Sequence, residues 1–158
     1  MDFFLDANTL FESIISTKVK NQINHIQNTN NQAVSSITVL GETIAICIGE
    51  KRTKDLDNII DLNRDLKLIY HFPTHKLRDC CTCLDKLDPT DFCSITDKTH
   101  LAYAIANKAD YFVTSDKDLL KFPINKCQCK EKCDMKNLKK IITTKDILNV
   151  VKSEPKKH

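Results

Sequence analysis

Residues 3–11 read FFLDANTLF, an apolar run that ends on Asp6 and leads into a helical pattern. Such a run is typical of a strand buried on both faces, because strands covered on both sides are almost continuously apolar. Beyond it, Leu10, Ile14 and Ile15 recur at the spacing that places side chains on one face of a helix. This stretch therefore predicts a buried strand, a turn that carries an acid, and a helix.

The same alternation continues along the chain. Short apolar or β-branched runs predict four further strands, at AVSSITV (33–39), LKLIYHF (66–72), DYFVTS (110–115) and KKIIT (139–143). Helical spacing occurs between and after them, around Ile23 and Ile26, at 56–63, at 101–108 and at 143–151, where Thr143 or Thr144 is a candidate cap. Strands that alternate with helices predict an α/β fold with a largely parallel sheet.

Composition indicates one ordered domain. The chain has 158 residues, 41% of them apolar and 28% charged, with a formal net charge of +3, two glycines and four prolines. No linker-like tract divides it, so we predict a single domain over 1–151 and a basic tail over 152–158. No long uninterrupted apolar stretch and no export signal is recognisable, so we expect no membrane span and a cytoplasmic location.

Four acids are predicted to meet at one edge of this sheet. Asp6 and Asp116 end strands, Asp97 precedes a helix, and Glu42 interrupts an apolar helical window. Ligands of open α/β folds bind beyond the carboxyl ends of the strands. Each aspartate has an alternative role as a helix cap, and Glu42 has one as a solvent-facing or lysine-paired side chain. Clustered carboxylates repel one another unless a cation compensates, which favours Mg²⁺ or Mn²⁺ with oxygen ligands.

Four motifs together resemble a known family. FFLDANTL, SSITVLGETI, DKTHLAYAIANKADYFVTSD and IITTKDIL follow in the order found in PIN-domain ribonucleases. That family includes toxins of prokaryotic toxin–antitoxin pairs and RNA-processing nucleases. The resemblance implies a three-layer α/β/α domain whose central parallel sheet has about five strands. It also implies RNA as substrate, a homodimer, and an antitoxin protein as a candidate partner.

The resemblance assigns roles to individual residues. It implies that the metal-binding, catalytic acids are Asp6, Glu42, Asp97 and Asp116, with Asp118 as a candidate further ligand. Asn8, Thr114 and Ser115 would hydrogen-bond to the carboxylates and orient them. One or two bound cations would activate a water that hydrolyses the phosphodiester, leaving a 5′-phosphate and a 3′-hydroxyl. His100, three residues after Asp97, is expected only to pack or to hydrogen-bond.

Two other classes of protein remain as alternatives. LDANTL is also similar to the opening motif of haloacid-dehalogenase-like phosphatases, whose first aspartate is a covalent nucleophile. Asn8 and Leu10 stand where that motif has Asp and Thr, which weakens this alternative. A noncatalytic, zinc-stabilised nucleic-acid-binding module is the other, although it has no need of four acids beside RNA, because carboxylates repel phosphate.

Eight cysteines set this sequence apart from the family pattern. The first cysteine group precedes Asp97 and comprises Cys80, Cys81, Cys83 and Cys93. The second cysteine group follows Asp118 and comprises Cys127, Cys129 and Cys133. The first group has a core-packing alternative because Leu77, Leu84 and Leu87 share its helical face. The second is too polar for a core, so both groups together predict a structural Zn²⁺ site, with an iron–sulfur cluster or spare thiols as alternatives. Cys47 is expected to lie in the core.

Overall fold

A computed structural model describes residues 1–27, 30–127 and 135–153. Its centre is an all-parallel sheet of five strands in the order β3-β2-β1-β4-β5. The predicted α/β fold with about five parallel strands is therefore confirmed. The direction in which the chain crosses the sheet reverses between β1 and β4, which makes this pair the switch point. The strands are β1 (Asp2–Leu5), β2 (Gln32–Ser36), β3 (Ile69–His71), β4 (Tyr111–Val113) and β5 (Lys140–Ile142).

Helices connect the strands and cover the sheet. They are α1 (Ala7–Ile15), α2 (Thr17–Gln27), α3 (Ile37–Gly49), α4 (Leu56–Leu66), α5 (Lys76–Leu87), α6 (Ile95–Ala106) and α7 (Ile147–Ser153). Right-handed crossovers place α1 to α4 on one face and α5 with α6 on the other. The contacts agree, since α1 packs on α2, α3 and α4, while α5 packs on α6. This is the three-layer arrangement that the family resemblance implies.

The core begins with the apolar run that precedes Asp6. Phe3, Phe4 and Leu5 are completely buried. The Phe4 ring stacks on Phe112 of β4 with a centroid separation of 5.5 Å. Aromatic burial of this size contributes strongly to stability and fixes the register of the two strands that meet at the switch point. Cys47 is also completely buried, as expected.

The four predicted strands after β1 are all shorter than the sequence pattern suggests, and the reason is clear for two of them. AVSSITV was predicted as one strand, but β2 ends at Ser36 and α3 begins at Ile37. The Ser36 hydroxyl accepts a hydrogen bond from the Val39 N–H (3.3 Å), so an N-cap overrides the β propensity of the residues that follow. LKLIYHF contributes only β3, because α4 extends to Leu66 and Lys67 then ends that helix with a positive φ of 45°.

At the carboxyl-terminal end, α7 extends through Ser153 and so includes the first two residues of the predicted tail. Residues 154–158 lie outside the described part of the chain. Within the described ranges, none of the helices combines the length and the apolar character needed to cross a membrane.

Candidate active site

Asp6 occupies the switch point of the sheet. Its N–H donates to the Val113 carbonyl (3.1 Å), which ties the end of β1 to the end of β4. The residue is only 1% exposed, and both carboxylate oxygens are engaged. Thr114 donates to Oδ2 (2.8 Å), and Nδ1 of His100 lies at hydrogen-bond distance from Oδ1 (2.9 Å). Asp6 stands at the N-cap position of α1, yet within the described chain its side chain does not cap that helix. The helix-cap alternative therefore does not account for Asp6.

Glu42 faces Asp6 from α3. Its Oε2 lies 3.2 Å from Nε2 of His100, although this buried oxygen makes no hydrogen bond with any described residue. Desolvation raises the pKa of Glu42, His100 opposes the rise, and the charges of Asp6 and Asp97 add to it. Three carboxylates from three elements therefore act on one another here. An unbonded carboxylate oxygen in such a place is the kind of group that a cation satisfies.

His100 lies between these two acids. It is 2% exposed on α6, with one ring nitrogen towards Asp6 and the other towards Glu42. The sequence identified it only as a residue that packs or hydrogen-bonds near the site. The structure shows that its ring spans the two carboxylates, and its position one helical turn after Asp97 was the signal available in the sequence.

Thr114 and Asp116 continue the site in the segment that follows β4. Thr114 is completely buried, and its hydroxyl accepts a hydrogen bond from the Asp116 N–H (3.0 Å) while donating to Asp6. Asp116 in turn accepts from the N–H groups of Asp118 (2.7 Å) and Leu119 (2.9 Å). Asp116 therefore stabilises the turn after β4, as the helix-cap alternative anticipated. Of the other residues predicted for this edge, Ser115 and Asp118 are exposed, and Asn8 is half-buried in the first turn of α1.

Asp97 has a double position, at the start of α6 and beside the other acids. Its Oδ2 accepts from the Ser94 hydroxyl (2.6 Å), and its own N–H donates to that hydroxyl (3.1 Å), which forms a capping box. The cap alternative thus describes part of its role. Its charge also contributes to the raised pKa of Glu42, after desolvation and the charges of His100 and Asp6.

The donor set fits a hard divalent cation in its chemistry. Asp6 follows β1, Glu42 and Asp97 lie on α3 and α6, and Asp116 follows β4, so four segments supply carboxylates to this edge, and Oε2 of Glu42 makes no hydrogen bond in the described chain. In residues 1–27, 30–127 and 135–153, however, no three His, Cys, Asp or Glu side chains already stand at metal-binding distances. Asp6 and Glu42 are instead linked through His100, so holding a cation requires these side chains to adjust.

The cysteines have diverse environments. Cys80, Cys83 and Cys93 are buried with the core, Cys81 and Cys127 are half-buried, and Cys129 and Cys133 lie outside the described residues. Burial raises the pKa of the Cys93 thiol to about 11, with contributions from Asp88 first and then from Asp97, Asp116 and Asp118. The first cysteine group therefore lies partly against the acidic edge. Its predicted participation in a zinc site stays a prediction.

Lys98 is a residue that the sequence analysis did not identify. Its side chain is almost completely buried, and its Nζ lies 2.8 Å from Asp91, 3.1 Å from Asp85 and 3.9 Å from Asp88. Hydrogen bonds with Asp91 and then Asp85 raise its pKa. Asp88 also accepts from the N–H groups of Phe92 and Cys93. This cluster holds the α5–α6 loop against the start of the helix that carries Asp97 and His100.

Comparison with known proteins supports the fold. No protein-family model matches the sequence, and no curated protein matches it. The fold is similar to a chain in the crystal structure of VapBC2 from Rickettsia felis bound to a DNA fragment from their promoter, with a TM-score of 0.67. The match covers 90% of this chain and 98% of that chain at 18% identity. At this identity the similarity concerns the fold, which is consistent with a PIN-like domain.

Proposed function

We propose that this protein is a metal-dependent endoribonuclease with a PIN-like fold, and that Asp6, Glu42, Asp97 and Asp116 form its catalytic site. The observation that carries the proposal is the pair of Asp6 and Glu42 at the switch point. One is a buried acid held by Thr114 and His100, and the other has a buried oxygen that lies 3.2 Å from Nε2 of His100 yet makes no hydrogen bond in the described chain. A pair that served only to stabilise the fold would be expected to have all its oxygens satisfied.

The residues of this chain have separable tasks in that reaction. Asp6 and Glu42 would hold the cation, and Asp97 and Asp116 would extend the negative edge around it. Thr114 fixes the orientation of Asp6 and connects it to the Asp116 backbone. A bound Mg²⁺ or Mn²⁺ supplies charge neutralisation for the phosphodiester and a water that is acidic enough to attack at neutral pH. No side chain needs to become a covalent nucleophile, and the products carry a 5′-phosphate and a 3′-hydroxyl.

The partners proposed for this protein follow from the same resemblance. RNA is the substrate, a homodimer is the proposed assembly, and an antitoxin protein is a proposed partner. The fold shared with a chain of VapBC2, a complex crystallised with a DNA fragment from its promoter, supports a protein partner of this kind. A structural Zn²⁺ site built from the two cysteine groups is proposed in addition to the catalytic Mg²⁺ or Mn²⁺.

Cleavage of a labelled single-stranded RNA, with EDTA and with Mn²⁺, tests the proposal. Asp6→Asn should lower the Mn²⁺-dependent rate by at least about 100-fold, more than the roughly 10- to 100-fold typical of residues that only orient ligands. Asp57→Asn is a matched control, because it removes the same charge from an exposed position on α4. Equal rates for wild type and Asp6→Asn would contradict the site. Trapping of a phosphoaspartate would instead support the phosphatase alternative.

A further inference from the structure

A pocket of about 330 Å³ lies immediately beside the acidic site. Its walls come from the ends of β4 and β5 and from α1 and α2. Thr114 and Ser115 form one side, Thr143 and Lys145 the other, and Lys18 and Gln22 face them from α2. This volume is at the lower end of the range for small-ligand sites in proteins, and it suits a ligand of about one nucleotide.

The pocket shares a wall with the acidic site. The Thr114 hydroxyl donates to Asp6 at 2.8 Å, while the Thr114 backbone N–H donates to the Ile142 carbonyl of β5 at 3.0 Å. One residue therefore contacts the buried acid and also lines the pocket. Thr114 therefore places the pocket next to the buried acid, with its own side chain between the pocket and Asp6.

The charge of the pocket complements that of the acidic site. Lys18 and Lys145 are exposed at its rim, and Glu12 is the acid among the described lining residues. Asp146, next to Lys145, already accepts hydrogen bonds from the N–H and hydroxyl of Thr143 (2.9 and 2.7 Å). The lining thus carries one net positive charge directly beside a cluster of carboxylates. The positive charge of the lining attracts an anion to the pocket, whereas the carboxylates alone would repel it.

The lining also offers hydrogen-bonding groups to a sugar or a base. Thr144 donates to Oε1 of Gln22 (2.8 Å), which fixes the side-chain amide and leaves its NH₂ group as a donor. Ser115 is exposed beside it, and Val19 adds an apolar surface. The lining therefore offers cations for a phosphate, hydrogen-bonding groups for a ribose 2′-hydroxyl, and an apolar surface for a base.

We propose that this pocket binds the nucleotide next to the cleaved phosphodiester of a single-stranded RNA, with Lys18 and Lys145 at its phosphate. The proposal rests on the proposed function and adds to it a location for substrate binding. The four acids repel phosphate, so the favourable electrostatic contribution to binding must come from neighbouring cations. Lys18 and Lys145 are the cations that line the cavity beside Thr114.

Binding measured without cleavage tests this location. Full-length protein in EDTA is titrated into a short fluorescein-labelled oligouridylate, and anisotropy gives the Kd over a series of salt concentrations. The double variant Lys18→Ala/Lys145→Ala should weaken binding about 10-fold and lower the slope of log Kd against log salt by about 0.7, since a single strand contributes about 0.7 per phosphate and both lysines act on the same phosphate. Lys18→Arg/Lys145→Arg should restore both values. Lys86→Ala/Lys126→Ala is the matched control, because both are exposed and neither is among the described lining residues.

Crosslinking separates a local contact from a long-range charge effect. Asp6→Asn protein is irradiated with an RNA that carries 4-thiouridine beside the cleavage site, and the crosslinked peptide should include residues 17–22 or 143–145. A crosslink elsewhere, or equal Kd values for the lining and control variants, would overturn the pocket assignment. Either result leaves the proposed function intact if Mn²⁺-dependent cleavage still requires Asp6. Conversely, wild-type protein that cleaves no RNA would overturn the proposed function. The anisotropy titrations would still decide whether the pocket binds RNA.

Discussion

Glu42→Gln should leave the metal-free protein as stable as the wild type or slightly more stable at neutral pH. Desolvation raises the pKa of Glu42, and the neighbouring carboxylates of Asp6 and Asp97 raise it further against the opposing effect of His100. The ionised form is therefore less favourable in the folded protein than in the unfolded chain. A glutamine of nearly the same shape removes that charge and keeps the packing.

The size of the gain follows from the position of the side chain. A shift of one pKa unit corresponds to about 1.4 kcal/mol. Because the Glu42 side chain is 37% exposed, solvent screening reduces the effect, and we expect a gain in the free energy of unfolding of about 0.5 kcal/mol. The folded-state pKa lies above the ordinary value of 4.5, so the penalty is fully present above the folded-state pKa. It disappears as the pH falls below 4.5, where the variant and the wild type should converge.

In the presence of Mn²⁺, the wild type should become more stable than Glu42→Gln. A cation that binds only the native state at 100 times its Kd adds about 2.7 kcal/mol to the free energy of unfolding. Glu42→Gln offers a neutral oxygen in place of a carboxylate. A ten-fold weaker affinity at the same Mn²⁺ concentration would reduce the added stability by about 1.4 kcal/mol.

Urea denaturation near neutral pH, with EDTA and then with Mn²⁺, measures both effects. Glu50→Gln is the control, because Glu50 is exposed at the end of the same helix. Two results would contradict this expectation. The first is a loss of more than about 1 kcal/mol in the free energy of unfolding of the metal-free variant, which is the size of an ordinary destabilising substitution. The second is equal stabilisation of variant and wild type by Mn²⁺.

Three further predictions concern separate parts of the account. Thr114→Val removes the hydroxyl that donates to Asp6 and accepts from the Asp116 N–H. It should therefore lower the cleavage rate about 10- to 100-fold. A wild-type cleavage rate would show that Asp6 needs no orienting partner. Protein purified without chelator should contain about one equivalent of zinc held by the two cysteine groups. Elemental analysis that finds neither zinc nor iron, with all thiols titratable, would exclude that site. Sedimentation should show a homodimer, and a monomer at high concentration would remove that assembly.

The position of Asp6 could be predicted because two independent patterns agree on it. An apolar run that ends on an acid marks the end of a buried strand, and alternating strands and helices place such ends at one edge. The structure locates Asp6 and Thr114 directly after the two strands of the switch point. The apolar run and the α/β fold class were therefore sufficient to predict the position of Asp6.

The link through His100 could not be read from the sequence. Residues 6, 42 and 100 are far apart along the chain, and the distances of 2.9 and 3.2 Å between their side chains depend on how α3 and α6 pack. The start of α3 was missed for a local reason, since Ile37, Thr38 and Val39 favour a strand while Ser36 caps a helix. The Lys98 cluster was missed because an almost completely buried lysine is exceptional and depends on aspartates brought to it by the α5–α6 loop.

The chemistry of the RNA ends distinguishes hydrolysis at the acidic site from other routes of cleavage. Single-stranded RNA is incubated with wild-type protein, with Asp6→Asn and with Asp57→Asn in the presence of Mn²⁺, and the ends of the products are identified by mass spectrometry. Hydrolysis at the acidic site predicts 5′-phosphate and 3′-hydroxyl ends for wild type and Asp57→Asn, and intact RNA for Asp6→Asn. Products with 2′,3′-cyclic phosphate ends, or cleavage that persists in EDTA and in Asp6→Asn, would contradict the account.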